Sequence, residues 1–248
     1  MSASDGGDLA PLAVGAAELG LALDDGQLAR YARYRALLLE WNAHINLTAI
    51  TDPAAIATRH FLDSLTCLLA LPAEWRGREI ALLDVGAGAG FPGLALAIAL
   101  PAWHVTLLEA TGKKVRFLEA VITDLGLPNA TAMAGRAEEV AHQPAYRARF
   151  DAVTARAVAA LPTLLEYCAP FARVGGLIVA PKKGELADEI ARGGRAAPAL
   201  GARLLDPVTV TLPALADGRM LLAAQQVRPC PPQYPRPAGA PAKRPLGG

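Results

Sequence analysis

The ten residues Asp84-Val85-Gly86-Ala87-Gly88-Ala89-Gly90-Phe91-Pro92-Gly93 lie between two apolar segments, residues 80–83 and 94–100. The order is strand, glycine turn, helix, the opening unit of a parallel α/β sheet. Glycines in such a turn permit φ > 0 and leave no Cβ between a ligand and the backbone. A helix behind the turn directs unpaired N–H groups and the positive end of its dipole into the same space. The run therefore predicts a binding site for a nucleotide-like cofactor.

The rest of the chain extends the pattern. Expected strands at 80–85, 104–108, 130–134, 151–154 and 177–180 alternate with helical stretches near 94–100, 113–125, 136–141, 161–172 and 185–192. Alternation of this kind builds a parallel sheet covered by helices on both faces. The strand runs are apolar without polar alternation, as burial on both sides requires. After residue 200 the alternation stops. Residues 208–212 and 220–226 read as two successive strands joined through Asp217-Gly218, which predicts a terminal antiparallel pair.

Up to about residue 75 the sequence is helical. Asp24 and Gln27 form a capping box, and Leu28, Tyr31, Leu38 and Leu39 follow at helical spacing. Asp52-Pro53 is a second start signal, for a helix running to about residue 70 and stopping before Pro72. Three parts are expected: a helical extension (1–75), an α/β core (76–227) and a basic, Pro/Gly-rich tail (228–248) that cannot build a core of its own.

Bulk properties exclude several classes. At 248 residues, 53% hydrophobic and 19% charged, the chain suits one soluble core with an accessory piece. Cys67, Cys168 and Cys230 are far apart, and the four histidines lack ligand spacing, so neither disulfides nor a metal site is expected. The apolar stretch 9–23 is led by Asp5 and Asp8 and interrupted by Pro11 and Glu18, unlike a signal peptide. The expectation is a cytoplasmic monomer. The net charge of +1 conceals a tail with Arg228, Arg236, Lys243 and Arg244 and no acid, able to touch an anionic partner locally.

Read from Gly88, the loop also fits G-x-G-x-x-G, so a nicotinamide or flavin site must be weighed. Asp84 argues against it, because a carboxylate before the glycines would repel a pyrophosphate yet hold the ammonium of a methionine moiety, directly or through water. The helical preface and the closing strand pair argue the same way. Together they describe a class I S-adenosylmethionine-dependent methyltransferase, with a Rossmann-like, mostly parallel seven-stranded sheet. Glu109 ends the second strand about 20 residues beyond the glycines, where an acid accepts hydrogen bonds from a ribose diol in either cofactor class. Arg156 ends the fourth strand, where a guanidinium can grip a carboxylate or phosphate.

Further motifs carry a resemblance. WNAHINLT (41–48), RHFLDSL (59–65), LLDVGAGAGFPG (82–93), GKKVRFL (112–118), GRAEEV (135–140), TARAVAAL (154–161), PKKG (181–184) and the tail YPRPAGAPAKRPL (234–246) make the chain similar to the bacterial small-subunit ribosomal RNA methyltransferase G family, also called glucose-inhibited division protein B. The resemblance implies methyl transfer from S-adenosylmethionine to N7 of a guanine in 16S ribosomal RNA, guanine 527 in the usual RNA numbering. It places cofactor contacts at Gly86, Phe91, Ala137, Glu138 and Arg156, with Glu109 on the ribose, and the loop itself adds Asp84 and Gly88. Ala87 and Ala89 stand where the family commonly has threonine and proline.

Guanine N7 carries no proton at neutral pH, so no general base and no catalytic side chain is expected; the enzyme's task is alignment, worth about 7–11 kcal/mol. The expected RNA-facing set is Arg59, His60, Lys113, Lys114, Lys182, Lys183, Arg236 and Lys243. Arg59, His60, Asp63 and Ser64 fall on one helical face and either border the transfer site or clamp the preface to the core. A non-catalytic RNA-binding factor and an NAD(P)-dependent oxidoreductase are the competing functions.

Overall fold

The computed structural model describes residues 9–247. The start of the expected extension, with Asp5 and Asp8, and the final Gly248 lie outside the described residues.

Eight strands form one sheet: β1 (Ile80–Val85), β2 (Trp103–Glu109), β3 (Ala130–Ala134), β4 (Phe150–Thr154), β5 (Ala172–Lys183), β6 (Ala202–Leu204), β7 (Val208–Thr209) and β8 (Arg219–Gln226). Their order is β3-β2-β1-β4-β5-β8-β6, with β7 also on β8. The first five pair in parallel. Strand β8 runs antiparallel to β5, β6 and β7. The strand order reverses between β1 and β4, so the crevice at their carboxyl ends is the topological switch point where open α/β sheets bind ligands. The glycine loop leaves β1 there, and Arg156 follows β4 there.

Two expectations about the sheet need correction. Strand β5 spans twelve residues, not four: it starts at Ala172, opposite Phe150 of β4, and continues past Ala180 through Pro181–Lys183, which pair with β8. The strand pairing with β8 is not one run at 208–212 but two pieces. Leu204 lies opposite Ala224 and Val208 opposite Leu221, with Asp206-Pro207 between them. Pro207 cannot donate to the ladder and divides the edge strand. That division makes eight strands where seven were expected.

The N-terminal helices pack in the same core as one face of the sheet; Leu12, Tyr31 and Phe61 share a buried cluster with Leu94 and Leu107. Helix Asp25–Asn42 begins with the expected capping box, Asp24 Oδ1 accepting from Gln27 N at 2.7 Å and Gln27 Oε1 accepting from Asp24 N at 2.9 Å. The amide nitrogen of Gln27 then donates to Ile98 O and Ala99 O, both at 3.0 Å. Those carbonyls end helix Gly93–Ala99, so one glutamine caps two helices. Tyr31 Oη donates to Ala95 O at 2.7 Å, and Tyr34 Oη donates to Ala89 O inside the glycine loop. The preface is therefore a brace behind the loop.

The helix opened by Asp52 runs through Pro53–Ile56, a π turn at Ala57–Leu62, Asp63–Leu65 and a 3-10 end at Thr66–Ala70. π turns inside helices are frequent at functional sites. Here the turn carries Arg59 and His60 and leads directly into Asp63.

The tail has no core of its own but is docked. Arg147 donates to Cys230 O, Pro231 O and Tyr234 O. Thr163 Oγ1 donates to Pro241 O at 3.1 Å. Glu166, fully buried, accepts from Arg236 N and Nε at 2.9 Å and from Nη2 at 2.7 Å.

Candidate active site

Gly86, Gly88 and Gly90 have φ of 69°, 60° and 94°. Their neighbours differ. A Cβ at Gly90 would come within 2.5 Å of Leu94 Cδ1 and Tyr34 Oη, so this glycine is required by packing. A Cβ at Gly88 would meet nothing nearer than Gly86 O at 3.8 Å and would stand in open space. That space is a cavity of about 290 Å³ bounded by the loop, Leu47, His60, Lys114 and the segment Arg156-Ala157-Val158.

Asp84 is buried beneath the loop. One carboxylate oxygen accepts from Gly93 N at 2.8 Å and the other from Thr154 Oγ1 at 3.1 Å. Burial raises its pKa to about 7, and those two hydrogen bonds oppose the rise. The expected free N–H groups at the helix start are thus already engaged, Gly93 N by Asp84 and Leu94 N by Gly90 O. The fold places its own carboxylate where a dinucleotide site would receive a pyrophosphate. Glu109 lies behind Gly88, its oxygens accepting from Gly88 N at 3.0 Å and Thr111 N at 2.7 Å. Each oxygen keeps a lone pair for a further donor.

Arg156 organises the opposite wall. It donates to Asp63 Oδ2 at 2.7 Å and to His60 Nδ1 at 3.3 Å, and its guanidinium carbon lies 5.0 Å from the centre of the Phe91 ring. A guanidinium can only donate, so His60 Nδ1 is an acceptor and its proton sits on Nε2, which donates to Thr48 Oγ1 at 2.7 Å. Burial first, and the Arg156 charge second, lower the His60 pKa to about 4. His60 is a neutral plate stacked on Phe91, centroids 4.5 Å apart and planes at 17°. Asn42 Oδ1 accepts from Leu47 N and Thr48 N, fixing the loop that supplies Thr48. The WNAHINLT and RHFLDSL motifs meet in this cluster.

The sequence-expected residues are thus only partly assembled. Gly86, Gly88, Phe91, His60, Lys114 and Arg156 line the cavity. Asp84 and Glu109 support its loop. Ala137 and Glu138 open the helix after β3, and Glu138 Oε1 accepts from Gly239 N of the tail at 3.2 Å instead of facing the cavity. Arg59 is exposed and offers only its carbonyl to Arg156, at 3.5 Å, so the expected shared face is divided by the π turn. Lys113 and Lys243 are exposed. Lys182 pairs with Glu189 and Lys183 with Asp217. Arg236 is not presented to a partner, because it neutralises buried Glu166.

Arg219 escaped the sequence reading. It stands opposite Lys183 across the β5–β8 pair and holds both Asp63 and Asp217. A like-charge cross-strand pair needs nearby acids, but nothing in the sequence links position 219 to Asp63.

Among the described residues no helix is long and apolar enough to cross a membrane, and no group of His, Cys, Asp and Glu could hold a metal ion.

A switch-point cavity floored by positive-φ glycines, with an acid ending β2 and an antiparallel β8 inserted beside β5, defines a class I S-adenosylmethionine-dependent methyltransferase. Solved structures agree on the fold: a SAM-dependent methyltransferase from Aquifex aeolicus (TM-score 0.52, 18% identity, 71% of this chain and 94% of that one) and a 16S rRNA (adenine(1408)-N(1))-methyltransferase mutant from Catenulisporales acidiphilia (TM-score 0.51, 20% identity, 64% and 91%). The chain matches the family described as rRNA small subunit methyltransferase G over residues 27–211. It is 48% identical over 227 residues to the ribosomal RNA small subunit methyltransferase G of Roseiflexus sp. (strain RS-1), covering 92% of this chain and 95% of that protein. It is 45% identical over 235 residues to the namesake from Dehalococcoides mccartyi (strain CBDB1), covering 95% and 98%. The chain belongs to the rRNA small subunit methyltransferase G family.

Proposed function

We propose that the chain, acting as a monomer in the cytoplasm, transfers methyl from S-adenosylmethionine to N7 of one guanine in 16S ribosomal RNA. The observation that carries this is a glycine-loop cavity walled by Arg156 and the His60–Phe91 stack in a chain of this family. The cavity fits the cofactor: Gly88 leaves open the space a Cβ would fill, and Glu109 keeps acceptor capacity behind it. Bound there, S-adenosylmethionine supplies a methyl group activated by its sulfonium.

Gly86, Gly88 and Phe91 form the floor, Glu109 meets the ribose diol, and Ala137-Glu138 offers backbone beside the base. Asp84 acts on the cofactor only through the loop it anchors. Guanine N7 brings an in-plane lone pair and no proton, so the residues align and exclude water without acting as a base. Neutral His60 fits this role, because it places no charge against the cation that forms on the purine. Arg59, Lys113, Lys114, Lys182, Lys183 and Lys243 provide the RNA-facing charge.

Equilibrium dialysis with S-adenosylmethionine and NAD, followed by transfer of labelled methyl to small ribosomal subunits, tests the reading. Binding of S-adenosylmethionine with label in the RNA is expected. NAD binding without transfer would overturn it.

A further inference from the structure

A second cavity, about 260 Å³, adjoins the first and shares Arg156 and Ala157 with it. Its other walls are Asp63, Pro181, Lys182, Lys183 and Arg219. We propose that this cavity is a phosphodiester subsite, built around Arg219, that holds the RNA backbone next to the methylated base. The inference rests on the RNA reading above and adds where the backbone is gripped.

The charge balance favours an anion. Four cations, Arg156, Arg219, Lys182 and Lys183, meet three carboxylates, Asp63, Asp217 and Glu189. One positive charge is left uncompensated. Arg219 and Arg156 have side-chain exposures of only 14% and 17%, so the excess charge is poorly screened by water. Asp63 sits between the two guanidiniums, one oxygen to each, and fixes both forks before any ligand arrives. Arg219 holds Asp63 and Asp217 through Nη1 and Nε, which leaves Nη2 outside both pairs. A planar fork held in this way suits the tetrahedral oxygens of a phosphate.

A nucleobase is the poorer occupant, because no aromatic side chain among the described residues lines this cavity and the aromatic faces of His60 and Phe91 are stacked on each other. Ala157, between the cavities, has φ 57°, an uncommon conformation for a residue with a Cβ. It turns the chain so that Arg156 lines both cavities while Val158 lines the first alone.

The test compares wild type with Arg219→Gln. The slope of log K against log [salt] is measured for labelled 16S RNA, and S-adenosylmethionine affinity is measured alongside. Loss of one phosphate contact should make the slope shallower by about 0.7–0.9. S-adenosylmethionine affinity should change less than twofold, since Arg219 does not line the first cavity. Should the glutamine variant not fold, Arg219→Lys replaces it. The lysine should keep the slope while losing the fork, weakening binding about tenfold. An unchanged slope in Arg219→Gln, full affinity in Arg219→Lys, or a tenfold loss of cofactor affinity in either would overturn the proposal. Direct RNA binding separates this outcome from failure of the methyl-transfer reading, in which wild type itself would transfer nothing.

Discussion

Replacing Arg236 by alanine should destabilise the enzyme from the far end of the chain. Glu166 has no solvent exposure, and three of its hydrogen bonds come from Arg236. The variant removes two of them together with the only guanidinium paired with this carboxylate among the described residues. Leaving a buried charge unpaired costs about 3–5 kcal/mol. For a chain of this length that is a fall in Tm of about 6–20 °C. The cost has a ceiling, because undocking the tail would let water reach Glu166. The loss cannot exceed the free energy that holds residues 228–247 on the helices Ala137–Val140 and Leu161–Cys168. Urea unfolding gives the first quantity, and limited proteolysis of the native protein gives the second as faster cleavage within the tail. The double variant Glu166→Leu/Arg236→Met removes both charges and should recover part of the loss. A stability change below about 0.5 kcal/mol in Arg236→Ala, with tail cleavage unaltered, would refute this account of the tail.

Three further outcomes follow from the site. Burial raises the folded-state pKa of Asp84 from 3.8 to about 7, so its ionisation removes stability as pH rises through that window. Asp84→Asn keeps the acceptor for Gly93 N and should gain about 2–3 kcal/mol on wild type between pH 5 and pH 8; a pH-independent difference in thermal melts would count against it. His60 is shifted the other way, from 6.5 to about 4, so stability is lost as pH falls below 6.5. Between pH 7 and 4.5 wild type should lose about 2–3 kcal/mol more than His60→Asn by denaturant titration, and parallel losses would show that the fold leaves the His60 pKa unshifted. Gly88→Ala and Gly90→Ala should separate binding from folding. The first adds a methyl to open space and should weaken S-adenosylmethionine binding at least tenfold with about 1–2 kcal/mol of destabilisation. The second collides with Tyr34 and Leu94 and should cost about 2–5 kcal/mol by overpacking and backbone strain, read as a Tm shift.

The sheet was legible where signals are local. Apolar runs between glycines and prolines mark β1 to β5, and the capping box at Asp24 marks the start of the brace helix. Pairing is not local. Three-residue β6 carries too few residues to show a period, and only the register on β8 reveals that it and β7 form one interrupted edge. The glycine loop was equally plain, but the direction of a carboxylate was not. Asp84 looked like a ligand for an ammonium group, and burial with Gly93 N and Thr154 Oγ1 makes it an anchor of the loop. Arg236 looked like a contact residue because a sequence shows charge and not its neutraliser. Its partner, Glu166, lies 70 residues away, and the tail amide that engages the Glu138 carboxylate lies 101 away. The Asp63–Arg219 pair spans 156 residues and has no sequence signature at all.

The central claim is transfer to one ring nitrogen of one guanine without a general base. Methylation at N7 makes the glycosidic bond of that nucleotide labile after borohydride reduction, so aniline then cuts the strand there. 16S RNA from small subunits lacking the modification, treated with the enzyme and S-adenosylmethionine, should be cut at a single guanine. The cut should be absent without the cofactor. Label incorporated into the RNA with no such cut, or with cuts spread over many guanines, would contradict the account.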